Sequence, residues 1–219
     1  MNVTTINEVV IIAEGDMVVK AAGSGDTFEP ETFEYVKKNF PKNGVFVDVG
    51  AYSGIYSLFA AIHKEAECCV AFEPNPVMYD RLIENIRLNK LGASVYALKY
   101  GLSDRNGQCI FYTNPNTPLT SAGSIEPDDE KTDCREISVM RYDDTIVKLM
   151  HVDMVKIDIE GHELNALKGM PHMIARERPV IIVECLHQIN LNEVVDFLSN
   201  FDYELRNVCD ERNFIFEPK

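Results

Sequence analysis

The chain has 219 residues, of which 46 % are apolar and 26 % charged, and its 21 Lys plus Arg against 35 Asp plus Glu give a formal net charge of −14. That length is one ordinary domain, able to bury roughly 70 % of the surface its unfolded chain exposes, and the composition excludes a disordered or fibrous protein. A field of that sign repels phosphate backbones and anionic lipid heads, so neither nucleic acid nor a membrane surface is expected as a partner.

Six cysteines occur with no Cys-x-x-Cys spacing, which points to buried thiols in a reducing compartment and not to a zinc site. Residues 1–8 lack a basic segment followed by an apolar one, and no apolar run approaches the ~20 residues of a spanning helix. The expected location is the cytoplasm.

Two short apolar runs, residues 9–12 and 17–19, surround Ala13-Glu14-Gly15-Asp16 and predict a hairpin turning at Gly15. Pro30 opens a predicted helix whose apolar stripe is Phe33, Val36 and Phe40, ending before Pro41. From Val45 the rhythm becomes strand, helix, strand. Residues 45–49 form a continuous apolar strand, 56–63 a helix, 69–72 a strand, 77–91 a helix and 94–98 a strand. Residues 108–113 and 136–141 alternate like strands and flank a polar stretch, 114–135, which reads as an inserted hairpin or lid. Residues 154–159 and 180–184 are further strands with a helix at 164–170 between them, and 203–208 with 213–216 form a terminal hairpin. This alternation predicts an α/β protein with a doubly wound, mostly parallel sheet. One domain spans the chain, with residues 1–44 as a hairpin and helix added to a core at 45–219.

The first strand ends Asp48-Val49-Gly50-Ala51-Tyr52-Ser53-Gly54. Glycines there allow a tight turn and close approach of a ligand. A nicotinamide fingerprint needs a second glycine two places after the first, and here that place is Tyr52, whose side chain obstructs a pyrophosphate. Asp48 beside a glycine turn instead suits a cationic head such as an amino-acid ammonium. The second strand ends Phe72-Glu73-Pro74-Asn75, and a carboxylate at Glu73 can accept both hydroxyls of a ribose. Adenosine bearing an amino-acid tail and no phosphate meets both conditions, and S-adenosylmethionine is that molecule. After the third strand, Ser103 or Asp104 would face the adenine rim, although Ser103–Gly107 also reads as a plain turn. Asp48 and Glu73 could equally cap the helices that follow them.

With these blocks in order the chain resembles the FkbM family of S-adenosylmethionine-dependent methyltransferases. The resemblance rests on VFVDVGAYSGIYSLFAA from Val45, AFEPNP from Ala71, NIRLN from Asn85, GLSD from Gly101, KIDIEGHELNALKG from Lys156 and RPVIIVE from Arg178. It implies a Rossmann-like class I methyltransferase fold and methyl transfer to a hydroxyl oxygen of a small molecule or sugar. Two positions depart from the family: Tyr52 stands where asparagine is usual, and His162 where a small residue is usual.

Ligands of such sheets bind beyond the carboxyl ends of the strands. The fourth strand ends Lys156-Ile157-Asp158-Ile159-Glu160-Gly161-His162, and alternation predicts Asp158 and Glu160 on one side. Methyl transfer to oxygen needs the reacting groups held in line and the hydroxyl proton removed. Asp158 is the expected orienter or base, Glu160 a substrate or cofactor ligand, and His162 an alternative base. The fifth strand ends at Glu184, and His187 just beyond it is another candidate base. Asp158, Glu160 and His187 can also be read as ligands of a divalent metal such as magnesium, although spacing lends that no support of its own. Two other readings stand beside the main one. One is a nicotinamide-dependent oxidoreductase, disfavoured by Tyr52 and by the absence of a Tyr-x-x-x-Lys pair. The other is a non-catalytic, partner-binding protein of the same fold.

Overall fold

A computed structural model describes residues 2–23, 25, 27–113, 125, 133–148 and 150–219. In chain order the elements are β1 (Val3–Ile6), β2 (Val9–Ile12), α1 (Met17–Ala22), α2 (Pro30–Asn39), β3 (Val45–Val49), α3 (Ile55–His63), β4 (Cys68–Phe72) and α4 (Pro76–Leu88). Next come β5 (Val95–Leu98), β6 (Gly101–Leu102), β7 (Gly107–Thr113), β8 (Asp133–Met140), a single 3-10 turn at Tyr142–Asp144 and β9 (Met154–Ile157). The chain closes with α5 (Glu163–Lys168), α6 (Pro171–Glu177), β10 (Val180–Glu184), α7 (Gln188–Ser199), β11 (Tyr203–Cys209) and β12 (Asn213–Pro218).

Seven strands form one sheet in the order β11-β12-β10-β9-β3-β4-β5. The pairs β10 to β9, β9 to β3, β3 to β4 and β4 to β5 are parallel, while β12 runs antiparallel to both β10 and β11. The predicted terminal hairpin is therefore the sheet's edge, stitched to β10 by pairs such as Glu184 with Asn213. The order reverses at β3: the chain winds outward through β4 and β5, then returns to lay β9 on the other side. Such a switch point opens a crevice beyond the strand ends.

Both faces of the parallel strands are covered, which is why every residue of β3 and β4 is buried. Phe46, Cys69 and Met154 point to the face packed by α2, α3 and α4, through Phe33, Leu58 and Leu82 among others. Val47, Val70 and Val155 point to the opposite face, against Leu167, Ile174 and Val194 from α5, α6 and α7. Helix ends are capped from nearby: the Asn75 side chain accepts from Val77 N, and buried Asp143 accepts from the amides of His172 and Met173 at the start of α6.

Three expectations change. The N-terminal hairpin is β1 with β2, turning at Asn7-Glu8, and residues 17–19 belong to a helix. Asn7 and Glu8 both have positive φ, 47° and 67°, which suits a two-residue turn between twisted strands. The Asp16 side chain accepts from Val18 N and starts α1, so Met17-Val18-Val19 coils despite its β-branched residues. Strand β9 stops at Ile157, and the left-handed turn at Glu160 (φ 57°) and Gly161 (φ 105°) breaks the alternation expected as far as residue 159. Strands β7 and β8 do pair antiparallel, but in a separate small sheet with β6. The expected lid at 114–135 lies outside the described residues apart from 125 and 133–135. Among the described residues, no helix is long and apolar enough to cross a membrane.

Candidate active site

A cavity of about 530 Å³ opens over the carboxyl ends of β3, β4, β9 and β10. That volume falls within the roughly 300–1,000 Å³ of small-molecule sites. Its floor begins at the glycine turn after β3. Gly50 has φ +81°, and a Cβ there would lie 2.0 Å from the carbonyl oxygen of Asp158. Only glycine lets the two strand ends come this close.

Asp48 and Glu73 both reach the cavity from almost complete burial. One carboxylate oxygen of Asp48, Oδ2, accepts from Ser57 N at 3.1 Å and Ser57 Oγ at 2.7 Å. Burial pushes the Asp48 carboxyl up to about 6, against the pull of Ser57 and Lys156. Glu73 Oε2 accepts from Tyr52 N and Oε1 from Asn75 N, each at 2.8 Å, and burial raises its carboxyl to about 7. Each oxygen of Glu73 keeps a second lone pair, so the group that fixes the turn can also receive ligand hydroxyls. Ala51, Tyr52, Pro74 and Asn75 line the same wall. The Tyr52 hydroxyl accepts from Met17 N at 3.2 Å, which ties the glycine turn to α1.

Deeper in the cavity stands a residue the sequence reading left unassigned. Lys156, 1 % exposed, lies in β9 with Nζ 3.3 Å from Asp158 Oδ2 and 5.3 Å from the centre of the Tyr56 ring. Burial opposes its charge, yet Asp158, Glu29, Glu184 and Asp48 outweigh that and hold its ammonium above the usual lysine range. The Tyr56 hydroxyl donates to Glu29 Oε2, bringing a residue from the start of α2 into this cluster. Asp158 lies deep but keeps 31 % of its side chain open to the cavity. Burial works against its ionised form, and Lys156 with a hydrogen bond from Glu184 more than offsets it, so its carboxyl stays below the ordinary range. Glu184 is pushed up by burial and by Asp158. Two carboxyls this close share one proton, which Glu184 carries while Asp158 holds the charge.

The cavity wall thus gathers Asp48, Gly50, Ala51, Tyr52, Glu73, Pro74, Asn75, Asp158 and Glu160 of the expected site. The other expected residues stand elsewhere. Gly54 is the left-handed cap of α3, packed against Leu82. Ser103 is buried, with Oγ 3.0 Å from His162 Nε2, and Asp104 is exposed beyond it; Gly101 and Leu102 line the wall in their place. His162 is held at the start of α5 between Ser103 and Asn165, so its ring joins β6 to α5 and does not reach the wall as a base would. His187 is exposed at the start of α7, also off the wall. The trio Asp158, Glu160 and His187 is accordingly not assembled, and among the described residues no three His, Cys, Asp or Glu side chains converge to hold an ion.

Lys156, Glu29, Tyr56 and Arg212 join the site only through the fold, whereas Glu184 was expected at this sheet edge as the end of the fifth strand. One signal was present: a lysine inside the apolar run Met154-Val155-Lys156-Ile157 is costly to bury without a partner.

Comparison with known proteins places this geometry. The family model of the methyltransferase FkbM domain matches residues 48–205. Methyltransferase sdnD of Sordaria araneosa is 31 % identical over 163 residues, covering 60 % of this chain and 62 % of its own length. The hexuronic acid methyltransferase AglP of Haloferax volcanii is 28 % identical over 173 residues, covering 78 % of this chain and 68 % of its own. The chain therefore spans about two thirds of the length of these relatives. Among solved structures, methyltransferase FkbM from Methylobacillus flagellatus superposes with a TM-score of 0.61 at 20 % identity, over 81 % of this chain and 44 % of that one. Precorrin-6y C5,15-methyltransferase from Geobacter metallireducens gives 0.54 at 14 % identity, over 86 % and 84 %. These likenesses show a shared Rossmann-like methyltransferase fold. With more than half its length matched by the family model, and with the doubly wound sheet that the match entails, the chain belongs to the FkbM methyltransferase family.

Proposed function

We propose that the protein transfers a methyl group from S-adenosylmethionine to a hydroxyl oxygen of a small molecule, with a sugar as the favoured acceptor class. The observation that carries this reading is one acidic cavity joining Asp48 and Glu73 at the switch point to Asp158 at the end of β9. The family supports methyl transfer, and the hexuronic acid named for the Haloferax relative supports a sugar.

The residues fit the donor. Asp48 offers a carboxylate to a cationic head, Glu73 offers lone pairs to ribose hydroxyls, and Pro74, Gly101 and Leu102 supply an apolar shelf for a base. When bound, S-adenosylmethionine supplies a methyl group activated on a sulfonium. A dinucleotide fits less well, because the Tyr52 ring, tied to Met17, occupies the turn where a pyrophosphate would lie.

Asp158 is the group that receives the acceptor's proton. Asp158 would take the acceptor's O–H proton as the oxygen's freed electron pair bonds to the methyl carbon, and the pair of the broken methyl–sulfur bond would stay on the donor's sulfur, leaving a neutral thioether. Glu184, already protonated, keeps the pair at a single negative charge, and Lys156 balances that charge. Glu160, beside Asp158 on the wall, accepts a hydrogen bond from a neighbouring acceptor hydroxyl.

A calorimetric titration with S-adenosylmethionine, S-adenosylhomocysteine and NAD tests the donor. The first two are expected to bind below millimolar concentration and NAD not to bind; the absence of the first two overturns the proposal. With an acceptor in hand, Asp158→Asn is expected to lower kcat by about 100- to 10,000-fold while S-adenosylhomocysteine affinity stays within a factor of a few. Turnover left intact would remove Asp158 from its role.

A further inference from the structure

The cavity extends past the donor wall. Strand order places Glu73 beyond β4 on one side of β3, and Glu184 of β10 with the turn before β12 on the other. At about 4.8 Å per strand, β12 stands roughly 14 Å from β3, so this far end is free for an acceptor. It is built by segments outside the matched family region, residues 27–30 and 210–212.

Those segments are fastened to each other. Asp210 Oδ2 accepts from Thr32 N at 2.9 Å and Thr32 Oγ1 at 2.8 Å, and Asp210 N donates to Glu31 Oε2 at 2.9 Å. Asp210 and Glu211 have φ 47° and 64°, which turns the chain sharply within the three-residue connection of β11 to β12. The Arg212 carbonyl accepts from Cys185 N at 3.0 Å, pinning this residue beside the end of β10. Arg212 is thus mounted on a fixed base at the cavity wall.

Its guanidinium is 60 % exposed, and its one ion pair among the described residues is Nε to Glu184 Oε1 at 3.7 Å. That contact engages Nε alone, and although Asp158 also feels the guanidinium's charge, the terminal N–H groups of this exposed side chain stay open to a ligand. A planar fork with spare N–H groups matches a carboxylate bidentately. Glu29, Asp158 and Glu160 line the same cavity, where their charge disfavours a dianion such as a phosphate ester and their oxygens suit hydroxyl donors. The net charge of −14 adds only a long-range repulsion, screened within ~8 Å at physiological salt.

We propose that Arg212 selects an acceptor carrying a carboxylate next to its hydroxyls, a uronic-acid type of sugar, through a bidentate pair at the far end of the cavity. The inference rests on the proposed methyltransferase reading and deepens it. Arg212 and Asp158 both neighbour Glu184 on the cavity wall, so a single acceptor can meet the selecting guanidinium and the proton-accepting carboxylate together.

The test uses the full chain saturated with S-adenosylhomocysteine and titrated with D-glucuronate, D-glucose and D-glucose 6-phosphate, followed by calorimetry or ligand-observed NMR. Glucuronate is expected to bind roughly tenfold or more tightly than glucose, as a charge-assisted pair provides, and the phosphate ester no better than glucose. Arg212→Gln should erase the preference, and Arg212→Lys should keep only part of it, with S-adenosylhomocysteine affinity unchanged in both. Equal binding of glucuronate and glucose, preference for the phosphate ester, no sugar binding at all, or a preference that survives Arg212→Gln each overturns the inference while the donor reading stands. Failure of S-adenosylhomocysteine to bind overturns the donor reading, and this inference with it.

Discussion

At Gly50 a missing side chain decides the site. The backbone there is left-handed, and a Cβ would meet the Asp158 carbonyl at 2.0 Å, main chain that cannot step aside. Gly50→Ala is expected to destabilise the fold by about 3 kcal/mol, from the strained φ and the overlap together, read as a lower urea midpoint. A midpoint equal to wild type would mean that β3 and β9 are not held this close. Lys156 poses the opposite case, a side chain whose charge cannot be spared. Removing it leaves buried Asp48 and the partly exposed Asp158 and Glu29 without their counter-charge, so Lys156→Met should cost about 3 kcal/mol although methionine nearly matches its volume. A loss below 1 kcal/mol would show that water, and not Lys156, compensates those carboxylates. Asp48, Gly50, Glu73 and Asp158 were legible in the sequence because each ends a strand beside a turn. His162 and His187 misled because imidazole chemistry says nothing of direction: one ring is enclosed by Ser103 and Asn165, the other sits outside the wall.

The N-terminal hairpin shows how one element is held by another far away in sequence. Strand β2 lies along α4, and the Asn85 side chain accepts from Ile12 N at 2.9 Å while donating to Ser53 O at 2.8 Å. One turn later, Asn89 accepts from Val10 N and donates to Val10 O. Two asparagines four residues apart on one helical face thus complete the edge of a strand, as another strand would. Asn85→Leu should leave a buried amide and a buried carbonyl unpaired and cost on the order of 2–4 kcal/mol, whereas Asn89→Ala, at a less enclosed pair, should cost less. Equal effects at both positions in urea unfolding would contradict this ordering. The periodicity that identified β3, α4 and β10 could not foresee this docking, since both partners are single side chains. It also misplaced the hairpin turn, because Gly15 outranks Asn7-Glu8 as a turn signal while Asp16 acts as a helix cap. The terminal hairpin was visible as two strands, and its seat on β10 was not, since register between distant strands leaves no local trace.

For the whole molecule, the excess of acid that counted against nucleic acid is partly gathered at one sheet edge, where Asp48, Glu73, Asp158, Glu160 and Glu184 line a single cavity. Burial makes this placement pH-sensitive with a definite sign. Asp48 titrates near 6 and Glu73 near 7 in the folded chain, against 3.8 and 4.5 ordinarily. Their folded values are raised, so the stability they contribute is full below about pH 4 and is lost as pH climbs through 6 to 7. Asp158, held low, works the other way, but its loss falls in stronger acid, below this window. Lowering the pH also relieves self-repulsion, so the two effects agree. Glu184, raised by burial and by Asp158, adds in the same direction, so urea unfolding is expected to give at least about 3 kcal/mol more stability at pH 5.5 than at pH 8. Ligand binding should run in the opposite direction. A cationic amino-acid head needs Asp48 ionised, and Asp48 faces Lys156 and Asp158 while Glu73 faces Asp48 and Asp158, so protonating either carboxyl weakens the donor wall. Affinity for S-adenosylhomocysteine should therefore fall by roughly tenfold or more from pH 8 to pH 5.5, over the same interval in which the free protein gains stability. Calorimetry at the two pH values decides it: an affinity that does not change would mean that neither carboxylate carries the charge of this site.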